Sequence, residues 1–522
     1  MRARVVIALA SAAAIGLGGC SFTLTTGHGT AILSDGGTDA TPTGSGPGSG
    51  VQPTVDFQDC SDRFNLGVLT FPSGRKDRIS VGCAQLQVPA DYTDVGAGTI
   101  TLQLVKVHDS SATDPGYLLV NPGGPGASGV DLAVGLAAQV SDTLLAHYDL
   151  VGFDPRGVGQ STPVDCLTDK QKDALNAASP DVLTAAGFAQ AKAMYAAFAA
   201  SCLSKYGSEL ADFNTVQTAK DMDRIRQALG QPKLDYLGFS YGTELGAQYA
   251  HLFPGNLGRA VLDGAVDPYT DDITTFANQL GGFELAFDQF ATWCRTQSPC
   301  SQIGDPRTAV YAVVATANTN PIPVSGDNRT LTSSLALTGV LSALYSRSQW
   351  SDLGKAIASA QTGNGKELLA LADSYNERGS DGSYTNILDA NMAISCNDSA
   401  PGPSDGTVRT TAVAWQKRYP MFGLWSAPSL FACQPWQPKR TVPPVPTATT
   451  TAATVLVIGN LHDPATPYQG AKDLTKALGH AELLTWNGEG HTSYLEGSTC
   501  IDHDVDAYLV NGTLPSAGTV CQ

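Results

Sequence analysis

The sequence lacks a surplus of positive charge and lacks clustered metal-binding motifs. Its 31 lysines and arginines are outnumbered by 48 aspartates and glutamates, which gives a formal net charge of −17 at pH 7. Nucleic-acid binding needs a basic face for phosphates, so we expect no nucleic-acid partner. A solvated acidic surface explains the charge, although it is also compatible with a cationic ligand. No C-x-x-C or clustered His–Cys spacing occurs, so we expect no metal site.

The sequence has one long apolar run near its start and no internal repeat. Residues 5–17 follow Arg2 and Arg4, and this run is too short for a comfortable membrane span, so residues 1–19 are predicted to be a signal peptide. The run ends in Leu-Gly-Gly-Cys20, which resembles the lipobox of bacterial lipoproteins. Lipidation at Cys20 would place the protein outside the cytoplasm, anchored to the cell membrane or associated with the cell wall. Part of the protein would be released. An ordinary secretory peptide is the alternative.

Composition divides the rest of the chain. Residues 20–55 are rich in Gly, Ser, Thr and Pro, cannot bury a core, and are predicted to be a flexible tether. The remainder is too long for one minimal domain and fits an α/β domain that carries an insertion. We place the first part of the core at 56–268, a helical insertion at 269–430, and the last part of the core at 431–522.

Short apolar runs alternate with helical patterns before residue 268. The predicted strands are 79–88 and 99–107, an antiparallel pair, followed by 116–120, 148–153, 234–237 and 259–262. The helices between them are predicted at 129–139, 185–204, 218–229 and 242–252. This alternation is typical of a doubly wound, mostly parallel sheet that is buried on both faces.

The alternation stops after residue 268 and returns near the C-terminus. The insertion is predicted to be helical at 271–294, 307–316, 331–345, 353–360, 366–376 and 407–419. Strands follow at 454–458 and 482–486, with a helix at 468–478 between them. The last two strands therefore complete the sheet that the first part of the chain begins.

A G-x-S-x-G pattern, GFSYG at 238–242, stands between a predicted strand and a predicted helix. A nucleophile elbow needs this context, because the serine sits on a turn so tight that its flanking residues must be small. Chance occurrence in a chain with 55 glycines is the alternative. Ser240 is therefore a candidate nucleophile that needs a base, an acid and an oxyanion site.

Candidates for these partners follow predicted strands in the order that an α/β-hydrolase requires. His491 lies in a glycine-rich loop after the last strand and is the candidate base. Asp463 follows the preceding strand and is the candidate acid, which would orient His491 and stabilise its imidazolium. A loop histidine and an Asx-turn residue are the respective alternatives.

The candidate oxyanion site is the glycine-rich stretch NPGGPGASG at 121–129, directly after a buried strand. Glycines let backbone N–H groups approach a ligand. The N–H of Gly124, or alternatively Gly123, would act with that of Tyr241. A simple loop is one alternative. A phosphate cradle is another, but the Lys-Ser/Thr of a P-loop is missing.

Five motifs together resemble the actinobacterial secreted tripeptidyl aminopeptidases, serine exopeptidases of the α/β-hydrolase fold related to proline iminopeptidases. They are NPGGPGASG (121–129), GFDPRGVGQS (152–161), GFSYGTELG (238–246), RAVLDGAVDP (259–268) and HDPATP…GEGH (462–491). The resemblance extends from about residue 59 to the C-terminus. It implies a helical cap over the site, no cofactor, and release of short peptides, typically tripeptides, from free N-termini.

An enzyme of this kind must also bind the ammonium group of its substrate, and a carboxylate is the natural partner. Asp398, in the sequence AISCND, is the preferred candidate because this context also resembles the family, and Glu244 is the second. A surface acid in an ion pair is the alternative for each. Arg156 is expected to pair with a carboxylate in a structural role.

Ten cysteines remain after Cys20, and an even number in an exported chain indicates disulfides. Sequence alone cannot determine their connectivity. The hypothesis is that neighbours pair in order, as Cys60–Cys83, Cys166–Cys202, Cys294–Cys300, Cys396–Cys433 and Cys500–Cys521. A monomer is expected.

Two other functions remain open from the sequence. A cell-envelope esterase or lipase would use the same triad, because fold does not determine substrate. A non-catalytic binding lipoprotein would be expected to have lost a triad residue, whereas Ser240, Asp463 and His491 are all present.

Overall fold

The computed structural model describes residues 53–437 and 451–522, apart from residues 299 and 452, and two short paired strands, Val6–Leu9 and Phe22–Thr25. Cys20 and most of the predicted signal peptide and tether lie outside the described residues. The lipid anchor and the domain boundaries therefore stay predictions. Among the described residues, no helix is both long enough and apolar enough to cross a membrane.

A ten-stranded sheet forms the centre of the protein. In chain order its strands are β1 (Gln58–Asp59), β2 (Ile79–Asp91), β3 (Asp94–Asp109), β4 (Gly116–Asn121), β5 (Tyr148–Phe153), β6 (Leu234–Phe239), β7 (Leu257–Asp263), β8 (Val455–His462), β9 (Ala481–Glu489) and β10 (Val520–Cys521). They lie side by side in the order β10-β9-β8-β7-β6-β4-β5-β3-β2-β1. Three neighbouring pairs are antiparallel: β1–β2, β2–β3 and β3–β5. The other pairs are parallel: β5–β4, β4–β6, β6–β7, β7–β8, β8–β9 and β9–β10.

This mostly parallel sheet confirms the predicted α/β-hydrolase fold. Every strand predicted from the sequence is present, as β2 to β9, while the two-residue edge strands β1 and β10 were not predicted. Successive residues of β4 alternate between two cores: Leu119 packs in one, and Leu118 and Val120 pack in the other. The sheet is therefore buried on both faces, which explains its apolar strands.

Helices pack on both faces of the sheet. The face that buries Leu118 is covered by α1 (Gly129–Leu136), α2 (Asp142–His147) and α16 (Thr499–Asn511). The opposite face is covered by α4 (Ala185–Tyr206), α5 (Thr215–Ala228), α6 (Tyr241–Leu252) and α15 (Gln469–Leu478). A further helix, α3 (Asp169–Ala177), precedes α4.

The mostly helical cap lies between β7 and β8. Its helices are α7 (Asp272–Cys294), α8 (Pro306–Thr319), α9 (Ser333–Leu344), α10 (Trp350–Gln361), α11 (Lys366–Tyr375), α12 (Ile387–Asp398), α13 (Asp405–Arg418) and α14 (Gly423–Ser426), with a ribbon of Ile322–Pro323 and Thr330–Leu331. The cap contacts loops that follow the sheet strands. A Cβ on Gly282 of α7 would lie 2.3 Å from the Pro464 carbonyl oxygen after β8.

Five disulfides join the ten cysteines in chain order, each cysteine to its neighbour, as predicted. Cys60–Cys83 and Cys500–Cys521 tie down the two edges of the sheet, and Cys396–Cys433 fastens the end of α12. The remaining bridges are Cys166–Cys202 and Cys294–Cys300.

Arg156 has the structural role that the sequence analysis expected. Its guanidinium is fully buried and donates two hydrogen bonds to Asp221, with Nε 2.8 Å from Oδ2 and Nη2 2.7 Å from Oδ1. The remaining donors bind the carbonyl oxygens of Pro89, Ala90 and Asp212. One side chain therefore joins the end of β2 to the middle of α5 and to the segment before that helix.

We predict that Arg156→Met lowers the free energy of unfolding by about 3–5 kcal/mol, because it leaves the buried Asp221 carboxylate without its counter-ion. A urea titration followed by fluorescence measures the change. Lys192→Met is the matched control, because Lys192 and Asp405 form an ion pair in which both side chains are 46% exposed. It should change stability by less than about 1 kcal/mol. Equal effects of the two substitutions would contradict this interpretation.

Candidate active site

Ser240 lies on a sharp turn between β6 and α6. Its backbone has φ 55° and ψ −123°, a conformation that a non-glycine residue adopts at a cost of about 1–3 kcal/mol. A Cβ on Gly238 would lie 2.5 Å from the Gly242 carbonyl oxygen, which shows why small residues flank the serine. The Ser240 N–H donates to the Asp263 carbonyl oxygen at 2.8 Å. This is the geometry of a nucleophile elbow.

His491 and Asp463 are in direct contact. His491 follows β9, Asp463 follows β8, and both side chains are buried. The His491 Nδ1 lies 2.8 Å from Oδ1 and 2.9 Å from Oδ2 of Asp463. A proton on Nδ1 therefore donates to the carboxylate and leaves Nε2 as the basic nitrogen.

The Asp463 carboxylate accepts hydrogen bonds from its own loop and from the loop after β9 that carries the candidate base His491, here called the base loop. It accepts hydrogen bonds from the N–H groups of Ala465 (2.9 Å) and Thr466 (2.8 Å), and from the Thr492 N–H at 3.0 Å. The Thr466 hydroxyl also donates to it at 3.0 Å. These donors orient the carboxylate toward His491. Thr466 was not singled out in the sequence, although it belongs to the HDPATP motif.

The loops that carry the three residues converge at Gly264. This glycine directly follows Asp263, whose carbonyl oxygen binds Ser240. A Cβ on Gly264 would lie 3.2 Å from the His491 ring carbon Cε1. The end of β7 and the residue after it therefore contact the loop that carries His491 and also hold the Ser240 backbone.

The glycine-rich loop after β4 lies against Ser240 and Tyr241. A Cβ on Gly123 would be 3.0 Å from the Tyr241 nitrogen and 3.1 Å from the Ser240 Cβ. The Gly123 N–H already donates to the Asn121 side chain at 3.0 Å, which favours Gly124 as the loop's oxyanion donor. Tyr241 is the first residue of α6, so its N–H has no acceptor within the helix.

Two cap residues contact the site, and sequence reasoning did not identify them. The Tyr345 carbonyl oxygen accepts the His491 N–H at 2.8 Å, and its ring lies edge-on to the imidazole with centroids 5.6 Å apart. The Asn391 side chain, on α12, donates to the Pro125 carbonyl oxygen at 2.9 Å. Both contacts cross between distant parts of the chain, so no local sequence pattern indicates them.

The two candidate ammonium-binding acids, Asp398 and Glu244, line one cavity of about 220 Å³. Pro125 and Tyr241 also line it, which places it beside the glycine-rich loop and the nucleophile elbow. Asp267 and Asp272 are its other charged lining residues, and it has no lysine, arginine or histidine among the described residues that line it. The structure therefore brings both acids together in an acidic cavity.

Both carboxyl groups have raised pKa values. Removal from water raises the pKa of Asp398 to about 8, although the Thr215 hydroxyl (2.6 Å) and N–H (3.1 Å) donate to it, and the Glu244 charge adds to the rise. Removal from water raises the pKa of Glu244 to about 7, with a contribution from Asp272. Acids without a cationic neighbour are expected to behave in this way.

One group of His, Cys, Asp and Glu side chains in the described part of the chain is compact enough for a metal ion. It consists of Cys500, Asp504 and Cys521, but the two sulfurs form a disulfide and cannot act as thiolate ligands. This group therefore carries no metal site, and the absence of a metal or cofactor stays a prediction.

We predict that Gly123→Ala reduces hydrolysis of an activated ester by about 10²–10³-fold, because the new methyl group displaces the nucleophile or the oxyanion donors. The added Cβ would lie 2.5 Å from the Phe239 carbonyl oxygen. Gly518→Ala is the control: Gly518 also has a positive φ, of 76°, but nothing lies within 4 Å of its Cβ position. Steady-state rates should fall only for Gly123→Ala. Similar losses in both variants would point to backbone strain alone.

Several known proteins are similar to this chain in sequence. Residues 419–521 match the family model described as TAP-like protein. The chain is 36% identical to serine protease Hip1 of Mycobacterium tuberculosis, over 84% of this chain and 87% of that protein. It is 38% identical to carboxylesterase B of Mycobacterium tuberculosis, over 84% and 86%. It is 29% identical to the tripeptidyl aminopeptidase of Streptomyces lividans, over 90% and 86%. The chain therefore belongs to the tripeptidyl aminopeptidase family of α/β-hydrolases, and it is a serine hydrolase.

Proposed function

We propose that the protein is a serine exopeptidase that releases short peptides, tripeptides in the first instance, from free N-termini. The observation that carries this proposal is the acidic cavity lined in part by Tyr241, the residue after Ser240. Its lining offers Asp398 and Glu244 and no basic side chain among the described residues. A peptide ammonium group is the complement of such a cavity. The relative named tripeptidyl aminopeptidase supports the tripeptide length.

In the proposed reaction the Ser240 Oγ attacks the carbonyl carbon of the scissile peptide bond while His491 Nε2 takes the hydroxyl proton. The N–H groups of Gly124 and Tyr241 bind the oxyanion of the tetrahedral intermediate. His491 then gives its proton to the leaving amine, the C–N bond breaks, and an acyl-enzyme ester remains. Water attacks this ester with His491 again as the base, which releases the short peptide acid and regenerates Ser240.

The cavity would determine which end of the peptide is bound. Tyr241 follows the nucleophile and lines the cavity, and its hydroxyl hydrogen-bonds to Thr215, which in turn holds Asp398. Asp398 is therefore fixed relative to the elbow. A free N-terminus bound there would place a peptide bond a short, set distance away at Ser240, which favours exopeptidase over endopeptidase action.

A cell-envelope esterase is the second candidate function. The relative named carboxylesterase B, at 38% identity, favours it, and the cavity also has apolar lining residues such as Phe276 and Leu474. An esterase has no use for two carboxyl groups in that cavity, which is why the peptidase is preferred. A non-catalytic binding lipoprotein is disfavoured, because the protein has both a nucleophile elbow at Ser240 and a hydrogen-bonded His491–Asp463 pair.

Three substrates separate these functions: a tripeptidyl chromogenic amide, its N-acetylated form and a short acyl ester. We expect cleavage of the free-amine peptide and little cleavage of the acetylated one. Equal cleavage of the two peptides would contradict ammonium recognition, and activity on the ester alone would favour the esterase. Ser240→Ala should lower kcat by about 10⁴-fold or more. Full activity of that variant would remove the triad assignment.

We predict that Asp398→Asn raises KM for the free-amine tripeptide by about 10- to 100-fold, because a charge-assisted hydrogen bond to the ammonium is lost. Hydrolysis of the ester should be unaffected. Glu367→Gln, at an exposed position on α11, is the matched control for removal of one negative charge. An unchanged KM in Asp398→Asn, or an equal change in the control, would exclude Asp398 as the ammonium partner.

The same substitution should change stability in a pH-dependent way. Because the pKa of Asp398 is raised to about 8 in the folded protein, the folded state favours the protonated form. The stability associated with that proton is present below about pH 4 and is lost as pH rises towards 8. Asp398→Asn should therefore melt at a higher temperature than the wild type at pH 8, and the difference should vanish near pH 4.

A further inference from the structure

Asp263, at the end of β7, connects the nucleophile to the loop that carries the base. Its carbonyl oxygen accepts the Ser240 N–H at 2.8 Å. Its side chain is fully buried, and Oδ2 accepts the N–H groups of Ser493 (2.9 Å) and Tyr494 (2.8 Å), two and three residues after His491. One residue therefore holds both segments by backbone hydrogen bonds.

These hydrogen bonds do not require a negative charge. Oδ1 of Asp263 has no hydrogen-bond partner within the described part of the chain. An asparagine would offer the same acceptor oxygen to Ser493 and Tyr494. Burial of a carboxylate with one unsatisfied oxygen costs more free energy than burial of an amide. The choice of a carboxylate therefore calls for an electrostatic explanation.

Within the described part of the chain, three titratable groups that interact electrostatically with Asp263 come from the loops after β8 and β9. They are Asp463, His491 and Glu496. Burial raises the pKa of Asp263 to about 6, with the two N–H groups and His491 lowering it and Asp463 raising it. Burial raises the pKa of Glu496 to about 8. At pH 7 to 8 Asp263 is therefore mostly ionised, and its charge acts on His491 together with that of Asp463.

We propose that Asp263 is a second acidic positioning residue for His491, which holds the base loop and stabilises the imidazolium with its charge. The proposal rests on the proposed serine-hydrolase mechanism, in which His491 becomes positively charged when it takes the Ser240 proton. Asp463 binds Nδ1 and selects the tautomer, whereas Asp263 binds the backbone that follows the ring. The two carboxylates thus act on the same cation from different loops.

Asp263→Asn tests the charge while it keeps the hydrogen-bond acceptor. Loss of a negative neighbour disfavours the imidazolium, so the acid limb of the kcat/KM profile should move to lower pH by about one unit. At pH 8, kcat should fall by about three- to tenfold, while KM should stay within about twofold because Asp263 does not touch the substrate. If Asp263 has only a structural role, the acid limb and kcat should both be unchanged in Asp263→Asn. That result would overturn the proposal.

Asp502→Asn is the matched control. The Asp502 carboxylate accepts the Leu495 N–H at 2.8 Å, so it is also an acidic anchor of the loop that follows His491. Its substitution should leave the acid limb in place. If both variants shift the limb equally, a loosened loop explains the result and the proposal fails.

Two further variants keep the test decisive. Asp263→Glu retains the charge with altered hydrogen-bond geometry, so its acid limb should stay with the wild type even where kcat falls. If the acid limb of Asp263→Glu moves away from that of the wild type, the proposal is overturned. This outcome can be measured even if Asp263→Asn does not fold. Ser240→Ala distinguishes a failure of the proposed function from a failure of the role of Asp263. Full activity of Ser240→Ala would refute the proposed function. If Ser240→Ala is inactive and Asp263→Asn has the same dependence of kcat/KM on pH as the wild type, only the role of Asp263 is refuted.

Discussion

The hydrogen bond from the Ser240 N–H to the Asp263 carbonyl oxygen is the constraint on which the site depends. It extends the parallel ladder between β6 and β7 by one step, beyond the Phe239–Asp263 pair. It thereby holds the strained serine at the edge where parallel strands end together. The loops after β4, β6, β7, β8 and β9 each supply one component at that edge. The strain at Ser240 is tolerated because the surrounding backbone leaves the turn no room to relax.

The cap is part of this assembly rather than a separate lid. The Tyr345 carbonyl oxygen accepts the His491 N–H, and the Asn391 side chain holds the glycine-rich loop after β4. A movement of the cap at Tyr345 would break the hydrogen bond that the His491 N–H donates. Substrate access that preserves the site therefore has to use other parts of the cap. The Cys396–Cys433 disulfide limits the movement of α12 further.

Local patterns predicted most of the sheet and the candidate triad, because strands, elbow and loops are encoded by neighbouring residues. Contacts between distant segments were not predictable in the same way, which is why Tyr345, Asn391 and the second role of Asp263 were missed. Helix α12 was also missed for a physical reason. Every residue from Ile387 to Asn397 is buried, so this helix lacks the exposed polar face that normally reveals helical periodicity.

In the proposed mechanism, environment gives similar carboxyl groups different tasks. Asp463 receives backbone and hydroxyl donors and the imidazole, so its negative charge is matched by hydrogen bonds before substrate arrives. Asp398 is removed from water in a cavity whose described lining has no cationic side chain, and its pKa of about 8 keeps it largely protonated at neutral pH. An arriving ammonium group replaces that proton, whereas an acetylated N-terminus has no charge with which to do so. Without substrate the protein thus avoids the cost of an unpaired charge in this cavity, and the ion pair forms only with a substrate that has a free N-terminus.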